Sequence, residues 1–425
     1  MITKFTEKPL DLLSKRWPNQ AGDRADLLDY VRPIVGDVKS RGDEAVKEYA
    51  SRFDKVDLDS FLVTKDEIQE AYKQVTQEQI EALREARKRL EIVESLRLAQ
   101  MNFETTIDGV NISCTTRPLE KVGCYVPGGK AAYPSSLIMN VTPAKVAGVP
   151  RIIVCTPPGK DGKVTPLTLV AADICMVDEV YKVGGVQAVA GLAYGTETIP
   201  RVDKIVGPGN AFVTAAKTIV SGTVAIDKPA GPSEILIIAD ETAKPKLIAL
   251  DLISQAEHGE GGISGLVTTS DELADEVIKE LTEMVPNLER GEITKSVLET
   301  GGFVYVVDTI EKAISFSNEF APEHIEIMTG VPEEVAEKIT TSGLVLLGDY
   351  TPVSSTDYCM GVNHVLPTEG YAKVSSGITV LDYVKPVSIV KSTRPGLNVI
   401  RKRVAVIAQV EGLPNHREAV EGRFR

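Results

Sequence analysis

The chain has 425 residues, of which 43% are hydrophobic and 25% charged, and its formal net charge is −13. Single hydrophobic cores rarely grow beyond about 250–300 residues, so this length predicts two or more domains. The acidic balance argues against a nucleic-acid partner, because a protein that binds phosphate backbones needs a basic surface. No apolar run reaches the roughly 18 residues that a membrane helix requires, so no membrane span is expected.

The N-terminus and the cysteines indicate the compartment. The first eight residues, Met-Ile-Thr-Lys-Phe-Thr-Glu-Lys, lack the apolar core of a secretory signal, so none is expected. The five cysteines are odd in number and form no Cys-x-x-Cys motif. This usage is typical of reduced thiols rather than of a disulfide framework or a cysteine zinc site. We therefore expect a cytoplasmic protein.

The first hundred residues predict helices and little else. About twenty polar residues come first and resemble an arm. Beyond them, apolar residues recur every three or four positions, first at Leu27, Val31, Ile34 and Val38 and again from Ile68 onwards. This spacing is that of amphipathic helices that bury one face.

After residue 120 the pattern changes to short apolar strands that alternate with helices. One series starts with a strand at Val122–Val126 and a helix at Pro134–Ala147, and a second starts with a strand at Glu234–Ala239. Repeated βα units predict mostly parallel sheets, with ligand loops at the carboxyl ends of the strands. We therefore expect an α/β fold of two Rossmann-like parallel-sheet domains, with a helical N-terminal segment and a small C-terminal tail domain.

The same elements predict domain boundaries. Residues 1–22 are expected to form the arm. Residues 23–124 and 235–379 are expected to form a first, discontinuous α/β domain, and residues 125–234 a second one. Residues 380–425 are expected to form the tail domain.

The chain has only four histidines, and each lies in a short polar motif. His258 ends Gln-Ala-Glu-His, His324 ends Ala-Pro-Glu-His, His364 ends Gly-Val-Asn-His, and His416 ends Leu-Pro-Asn-His. Histidine is the commonest metal ligand and the usual proton carrier near neutral pH. The four together point to a single functional site, although each alone could equally be an ordinary surface or core residue.

One motif suggests a metal site. Residues three apart share a helix face, so Gln255 and His258 could bind one ion, and their oxygen and nitrogen atoms suit zinc or manganese. Asp357 and His416 are candidates to complete the set. Taken alone, an i,i+3 pair of this kind is more often incidental than functional.

A second motif suggests proton transfer. Glu323 and His324 follow Pro322, which disfavours a continuing helix and starts a turn. At a turn both side chains could reach one cleft and act as an acid/base pair. The alternative is that the dipeptide is an ordinary surface turn.

Three glycine turns suggest a phosphate-bearing ligand. They are Tyr125–Gly129, Gly207–Asn210 and Ala230–Glu234, and each follows or precedes a predicted strand. Amides at a helix N-terminus favour anions. No Gly-x-Gly-x-x-Gly fingerprint is present, and Gly129-Lys130 lacks the Ser or Thr of an ATPase loop, so that class is rejected. Tight structural turns would explain these loops as well.

In order and spacing, these motifs resemble the histidinol dehydrogenase family over about residues 20 to 422. The segments that carry the resemblance are Gly123–Gly129, Gly207–Asn210, Ala230–Glu234, Ser254–His258, Ala321–His324, Asn363–Thr368 and Glu411–His416. The chain departs from the family pattern at Gly259–Gly262, where an aspartate and fewer glycines are expected, and at Val186. Neither departure affects a matched functional position.

The resemblance implies an NAD-dependent enzyme that oxidises L-histidinol to L-histidine through L-histidinaldehyde. It implies one zinc ion per subunit, an acid/base pair, further substrate contacts and NAD contacts. The implied zinc ligands, also substrate contacts, are Gln255, His258, Asp357 and His416. The implied acid/base pair is Glu323 and His324, the implied further substrate contacts are Ser233, His364 and Glu411, and the implied NAD contacts are Tyr125, Gln187 and Asn210.

The resemblance also implies an intertwined homodimer whose tail enters the partner's site. Three alternatives stay open at the level of sequence. A dehydrogenase of the same fold could oxidise another alcohol, such as a sulfonated diol. A zinc hydrolase would use the same metal, carboxylate and water, although no His-Glu-x-x-His motif occurs. A noncatalytic metal-binding protein would not need the Glu323–His324 pair.

Overall fold

The computed structural model describes residues 2–14, 16, 25–128, 132–228 and 231–425. The strands in these ranges are β1 Thr3–Phe5, β2 Phe103–Ile107, β3 Val110–Pro118, β4 Lys121–Tyr125, β5 Arg151–Cys155, β6 Glu179–Tyr181, β7 Lys204–Val206, β8 Ala225–Ile226, β9 Glu234–Ala239, β10 Ile263–Thr268, β11 Gly302–Val306, β12 His324–Met328, β13 Leu344–Leu347 and β14 Val384–Ser392. The α-helices are α1 Leu10–Ser14, α2 Ala25–Arg41, α3 Asp43–Tyr49, α4 Lys65–Tyr72, α5 Gln77–Ala99, α6 Pro134–Ala147, α7 Pro166–Ile174, α8 Gly185–Tyr194, α9 Ala211–Val220, α10 Pro245–Ala256, α11 Asp271–Met284, α12 Gly291–Thr300, α13 Ile310–Phe320, α14 Pro332–Ala336, α15 Val353–Thr356, α16 Arg394–Val410 and α17 Pro414–Glu421.

The larger sheet has six parallel strands in the order β1-β11-β10-β9-β12-β13. Its strand β9 reads Glu-Ile-Leu-Ile-Ile-Ala, and all six residues are buried. Helices cover both faces of such a sheet, which is why the strand is a continuous apolar run. Strand β12 lies beside β9 with His324 opposite Ile235. This register places His324 next to the start of β9.

The smaller sheet has five parallel strands in the order β6-β5-β4-β7-β8. The chain leaves it at β8 and enters the larger sheet at β9, so the predicted junction near residue 234 is confirmed. The predicted α/β class with two parallel sheets is confirmed as well. The expected helix at 134–147 has the observed bounds.

The N-terminal helices pack on the smaller sheet, which corrects the expected domain grouping. Helix α2 packs against α8 and α9, α4 packs against α7, and α5 packs against α6. Strand β4 also belongs to that sheet. Helices α2, α4 and α5 and strand β4 therefore belong structurally with the smaller sheet. Helical periodicity shows that a face is buried, but it does not show which sheet covers that face.

The expected arm, residues 1–22, is more than a polar extension. Its residues 3–5 form β1, which pairs in parallel with β11 at the edge of the larger sheet. Helix α1 follows, and Leu13 is buried in the core beneath that sheet. The segment is therefore part of the domain built from the larger sheet.

The C-terminal tail continues a small antiparallel sheet that the sequence analysis did not predict. Strand β14 pairs with β3, which pairs with β2. Every residue of β2 is exposed, so the pattern of buried positions that marks a strand is missing there. Beyond β14, α16 buries only Gly396 and Ala408, and α17 buries none of its residues. In the ranges described, none of the helices has the length and apolarity needed to cross a membrane.

Candidate active site

The Glu323–His324 pair lies where helix α13 gives way to strand β12. The helix ends at Phe320, and Ala321 adopts a left-handed conformation with φ of 53° before Pro322. The strand then begins at His324. Both side chains are buried, at 6% exposure for Glu323 and 3% for His324. The pair is therefore not a surface turn.

Backbone atoms of Glu234 hold both side chains of the pair. Its amide donates to Glu323 Oε2 at 2.8 Å, and its carbonyl oxygen lies 3.1 Å from His324 Nδ1. A carbonyl can only accept, so His324 Nδ1 carries the proton. In the neutral imidazole, Nε2 is then the unprotonated nitrogen, and it is buried with no hydrogen-bond partner among the described residues. An imidazole nitrogen in this state can accept a proton from a ligand.

The two groups affect each other's protonation across 3.6 Å between Glu323 Oε2 and His324 Nδ1. Burial raises the pKa of Glu323, and the nearby His324 opposes this only in part. Burial alone would lower the pKa of His324, but the charge and hydrogen bonding of Glu323 raise it above its ordinary value. The pair is thus suited to take up a proton near neutral pH.

Two further histidines lie around Asp357, which follows the short helix α15. His258 Nε2 is 3.8 Å from Asp357 Oδ2, and His364 Nδ1 is 3.6 Å from Asp357 Oδ1. His364 Nδ1 also donates to the Asp357 carbonyl at 2.9 Å, and its Nε2 lies 3.5 Å from Ser136 Oγ. The structure therefore brings His258, Asp357 and His364 together.

This group is electrostatically coupled to the acid/base pair. The charge of Asp357 helps to raise the pKa of His324. Burial lowers the pKa of His364, and the neighbouring His324 and His258 lower it further. Three of the four histidines thus belong to one site, together with Glu323 and Asp357.

Gln255 lies in the last turn of α10, and His258 lies just beyond the end of that helix. The two residues were expected on one face of a continuous helix. In the structure α10 ends at Ala256, and His258 N donates to Gln255 O in a tighter turn. Gln255 is 2% exposed, and its Nε2 has no hydrogen-bond partner among the described residues. Only the amide oxygen could bind a cation, because the Nε2 group is a donor.

The oxygen and nitrogen donors of Gln255, His258 and Asp357 suit zinc or manganese. They do not complete a site within one chain. In the part of the chain that the structure describes, no group of three or more His, Cys, Asp or Glu side chains is arranged to hold a metal ion. The expected fourth ligand, His416, lies on α17, which packs on α16 rather than on α10. Glu411, directly after α16, is likewise exposed.

The three expected NAD contacts all lie at one end of the smaller sheet. Tyr125 ends β4 and its hydroxyl accepts from Gly185 N at 3.2 Å, while Asn210 Oδ1 caps helix α9. Gln187 is buried near the start of α8, and its Nε2 donates to Asp54 Oδ2 at 3.2 Å. Burial raises the pKa of Asp54 to about 6. Sequence reasoning missed Asp54, because one more aspartate in an acidic chain carries no distinguishing pattern.

The substrate candidate Ser233 is partly buried and lies directly before β9. Its carbonyl accepts from Ile263 N at 3.0 Å. Glu234, the next residue, holds the acid/base pair. Ser233 therefore lies at the amino end of β9, in the connection between the two sheets and beside the proposed catalytic groups.

A second carboxyl pair lies beneath the site and was not predicted. Asp251 on α10 and Glu326 on β12 are buried and share a hydrogen bond. Glu326 Oε1 also accepts from Val353 N, at the start of α15, at 2.6 Å. The pair therefore connects the three elements that carry the metal and acid/base candidates. Burial raises the pKa of Asp251 to about 6 and that of Glu326 well above its ordinary value, so the pair retains a proton.

This pair predicts how folding stability depends on pH. The same carboxyls lose their protons near pH 4 in the unfolded chain, whereas in the folded pair Asp251 keeps its proton to about pH 6 and the pKa of Glu326 is also raised. The unfolded state then binds fewer protons, so stability should fall as pH rises through this window. In Glu326→Gln the side-chain amide can donate to Asp251 at any pH. The folding stability of this variant should therefore fall less as pH rises. The measurement is Tm at about pH 5 and about pH 8. The exposed Glu276→Gln serves as control, and equal pH dependence in both variants would contradict the assignment.

Comparison with known proteins agrees with this fold. The chain matches the family model described as histidinol dehydrogenase over residues 18–424. It is 49% identical to the histidinol dehydrogenase of Clostridium acetobutylicum, covering 99% of this chain and 96% of that one. It is 45% identical to that of Methanothermobacter thermautotrophicus over the full length of both. A solved histidinol dehydrogenase from Elizabethkingia anophelis superposes with a TM-score of 0.93 at 37% identity, covering 100% of this chain and 98% of that one.

The two parallel sheets and the buried Glu323–His324 pair define an α/β protein with a candidate active site. The family match and the full-length relatives narrow the class further. The chain belongs to the histidinol dehydrogenase family and is an NAD-dependent oxidoreductase of that type.

Proposed function

We propose that this chain oxidises L-histidinol to L-histidine through L-histidinaldehyde, with NAD⁺ as electron acceptor in both steps, and so completes histidine biosynthesis. Membership of the family supports the substrate. The observation that carries the chemistry is His324 Nε2, a buried and unpartnered base beside Glu323. A reduced compartment is supported by the five cysteines, none of which forms a disulfide. We therefore place the enzyme in the cytoplasm.

In the first step, His324 Nε2 accepts the hydroxyl proton as the alcohol carbon loses a hydride. NAD⁺, when bound, supplies the acceptor for that hydride. Glu323 stabilises the resulting imidazolium from 3.6 Å. The Glu234 carbonyl keeps Nδ1 protonated, so that only Nε2 faces the proton donor. The products are the aldehyde, one NADH and one proton.

In the second step, Glu323 accepts a proton from water as the water oxygen attacks the aldehyde carbon, and the protonated His324 returns its proton to the aldehyde oxygen, which gives the hydrate and frees Nε2. Burial raises the pKa of Glu323, which improves it as a base near neutral pH. The hydrate then loses a proton to His324 and a second hydride, which leaves the carboxylic acid. Together the two steps consume two NAD⁺ and one water per alcohol, so four electrons leave the substrate.

We propose that the site holds one zinc ion per subunit through Gln255, His258, Asp357 and His416 of the partner subunit. Such an ion would bind the amino and imidazole nitrogens of the substrate and so fix its position. The burial of Gln255 just before His258 and the approach of His258 to Asp357 support the first three ligands. His364, Ser233 and the partner's Glu411 are proposed to contact the substrate as well.

An intertwined homodimer would place the tail in the partner's site. The tail helices expose apolar side chains that a soluble monomer would bury, namely Val399, Val406, Ile407, Val410 and Leu413. Within one chain the tail packs mainly on itself and on β3. Tyr125, Gln187 and Asn210 are proposed to contact NAD at the carboxyl end of the smaller sheet. Neither nucleic acid nor membrane is a proposed partner.

The stoichiometry of NADH tests the proposal. With limiting L-histidinol and excess NAD⁺ and zinc, absorbance should report two NADH formed per histidinol consumed. One NADH would show that the aldehyde escapes before the second step. Absence of NADH despite NAD⁺ binding would favour another alcohol, such as a sulfonated diol, and absence of NAD⁺ binding would favour a zinc hydrolase.

A further inference from the structure

Arg16, from the N-terminal segment, is buried behind the acid/base pair. It is 2% exposed, and its guanidinium forms a bidentate ion pair with Glu234, which is also 2% exposed. The two distances are 2.5 Å from Nη1 to Oε1 and 2.8 Å from Nη2 to Oε2. Arg and Glu are almost never fully buried unless they are paired, so this buried bidentate ion pair is a specific feature of the fold.

The same guanidinium holds the backbone that leads into the pair. Its Nε donates to the Phe320 carbonyl at 2.8 Å, and its Nη2 donates to the Ala321 carbonyl at 3.0 Å. Its Cζ also lies 3.8 Å from the centre of the Phe320 ring. Ala321 is the residue with positive φ, a conformation that costs energy outside glycine and persists only when its surroundings impose it.

Glu234 links Arg16 to both Glu323 and His324 through hydrogen bonds. Its backbone amide and carbonyl hold Glu323 and His324. Its carboxylate accepts from the amide of Glu323 at 3.4 Å and from the amide of Glu369 at 3.0 Å. Without Arg16 this carboxylate would be a buried and uncompensated charge. Arg16 and Glu234 therefore fix the turn at residues 320–324 from both sides.

We propose that Arg16 is a positioning residue of the active site, which acts through Glu234 to hold Glu323 and His324 in their productive geometry. The N-terminal segment is then part of the catalytic apparatus. Among the described residues, Arg16 forms no hydrogen bond or ion pair with the side chains of Glu323 and His324 or with the proposed metal ligands. The inference rests on the proposed acid/base roles of Glu323 and His324.

The first test is the steady-state kinetics of Arg16→Lys and Arg16→Ala with NAD⁺ and histidinol. Misplacing a reacting group by about 1 Å can cost about a hundredfold in rate. We expect kcat to fall about 10- to 100-fold in both variants, with KM for histidinol within about twofold. Lysine keeps the charge but cannot make the bidentate and carbonyl contacts together, so it should not restore kcat. Millimolar guanidinium should raise kcat of Arg16→Ala but not of the parent chain.

Lys8→Ala is the matched control. Lys8 lies in the same segment and pairs with Glu319 on α13, but this exposed contact does not reach the turn at residues 320–324. Its kcat should equal that of the parent. A fall in kcat equal to that of Arg16→Ala would show that the segment matters only for docking and would overturn the proposal.

A double variant separates the effect on catalysis from the effect on folding stability. Arg16→Met with Glu234→Gln removes both charges, and replacing both members of a buried pair is far less destabilising than removing one. We expect this variant to regain the Tm lost in Arg16→Ala while its kcat stays low. Parental kcat in the folded double variant, or in Arg16→Ala, would overturn the proposal.

Glu323→Gln and His324→Asn, assayed beside these variants, separate the two levels of inference. If both keep parental kcat, the proposed acid/base roles fail and the role of Arg16 fails with them. If both lose activity while the Arg16 variants keep it, only the positioning role fails. Loss of kcat in all of them, with rescue by guanidinium, supports both.

Discussion

His324→Asn should lower kcat by about two to four orders of magnitude, the range that a positioned acid/base group contributes. Asparagine can retain the donor to the Glu234 carbonyl, but it has no basic nitrogen in place of Nε2. Because Nε2 has no other partner among the described residues, its loss should not remove a structural bond. The fold should therefore survive while proton transfer fails. Single-turnover NADH formation measures the chemical step directly.

A matched substitution shows whether the effect is specific to Nε2. Ser317→Ala removes a buried polar side chain on the neighbouring helix α13, away from the proposed proton path. Its kcat should remain near that of the parent. Bound zinc, measured by metal analysis, should be unchanged in His324→Asn. Near-parental kcat in His324→Asn would show that another group takes the alcohol proton.

His416→Ala should cost the enzyme most of its zinc and, with it, nearly all activity. The physical reason is that only Gln255, His258 and Asp357 would remain of the proposed ligand set, and the first of these is neutral. Loss of a protein ligand weakens a metal site severely. Zinc content after dialysis and histidinol-dependent NADH formation are the measurements.

The shared site makes a sharper prediction when two inactive chains are combined. In a heterodimer of His324→Asn and His416→Ala chains, one site receives an intact acid/base pair and an intact His416, while the other receives neither. Purified heterodimer should therefore regain about half of the parental activity, as two-fold symmetry requires. If His416 served its own chain, both sites would stay defective. An inactive heterodimer of verified composition would thus contradict the crossing of the tail.

The elements that sequence patterns predicted well are those buried on both faces. Strand β9 is one apolar run, so its bounds were predicted to the residue. Strand β2 is exposed along its whole length, and no apolar alternation marked it. The grouping of the N-terminal helices with residues 235–379 was wrong because an amphipathic pattern does not identify the surface that it covers.

The candidate site was predicted unevenly for a similar reason. Short polar motifs pointed to His258, His324 and His364, and the structure brings these three together around Asp357 and Glu323. The roles proposed for them stay predictions. The pairs Arg16–Glu234 and Asp251–Glu326 were missed because their partners lie far apart in the chain. Local spacing contains no information about such contacts.

Strand β1 has a consequence for how the protein is made. Its partner β11 begins at Gly302, about three hundred residues later in the chain. At about 5–20 residues per second, the ribosome takes roughly 15–60 s to make that stretch. During this time the first strand has no edge to pair with, and Arg16 meets a finished turn only after Ala321 emerges. The earliest segment to leave the ribosome is therefore among the last to reach its native place, and non-local pairing of this kind makes folding slow.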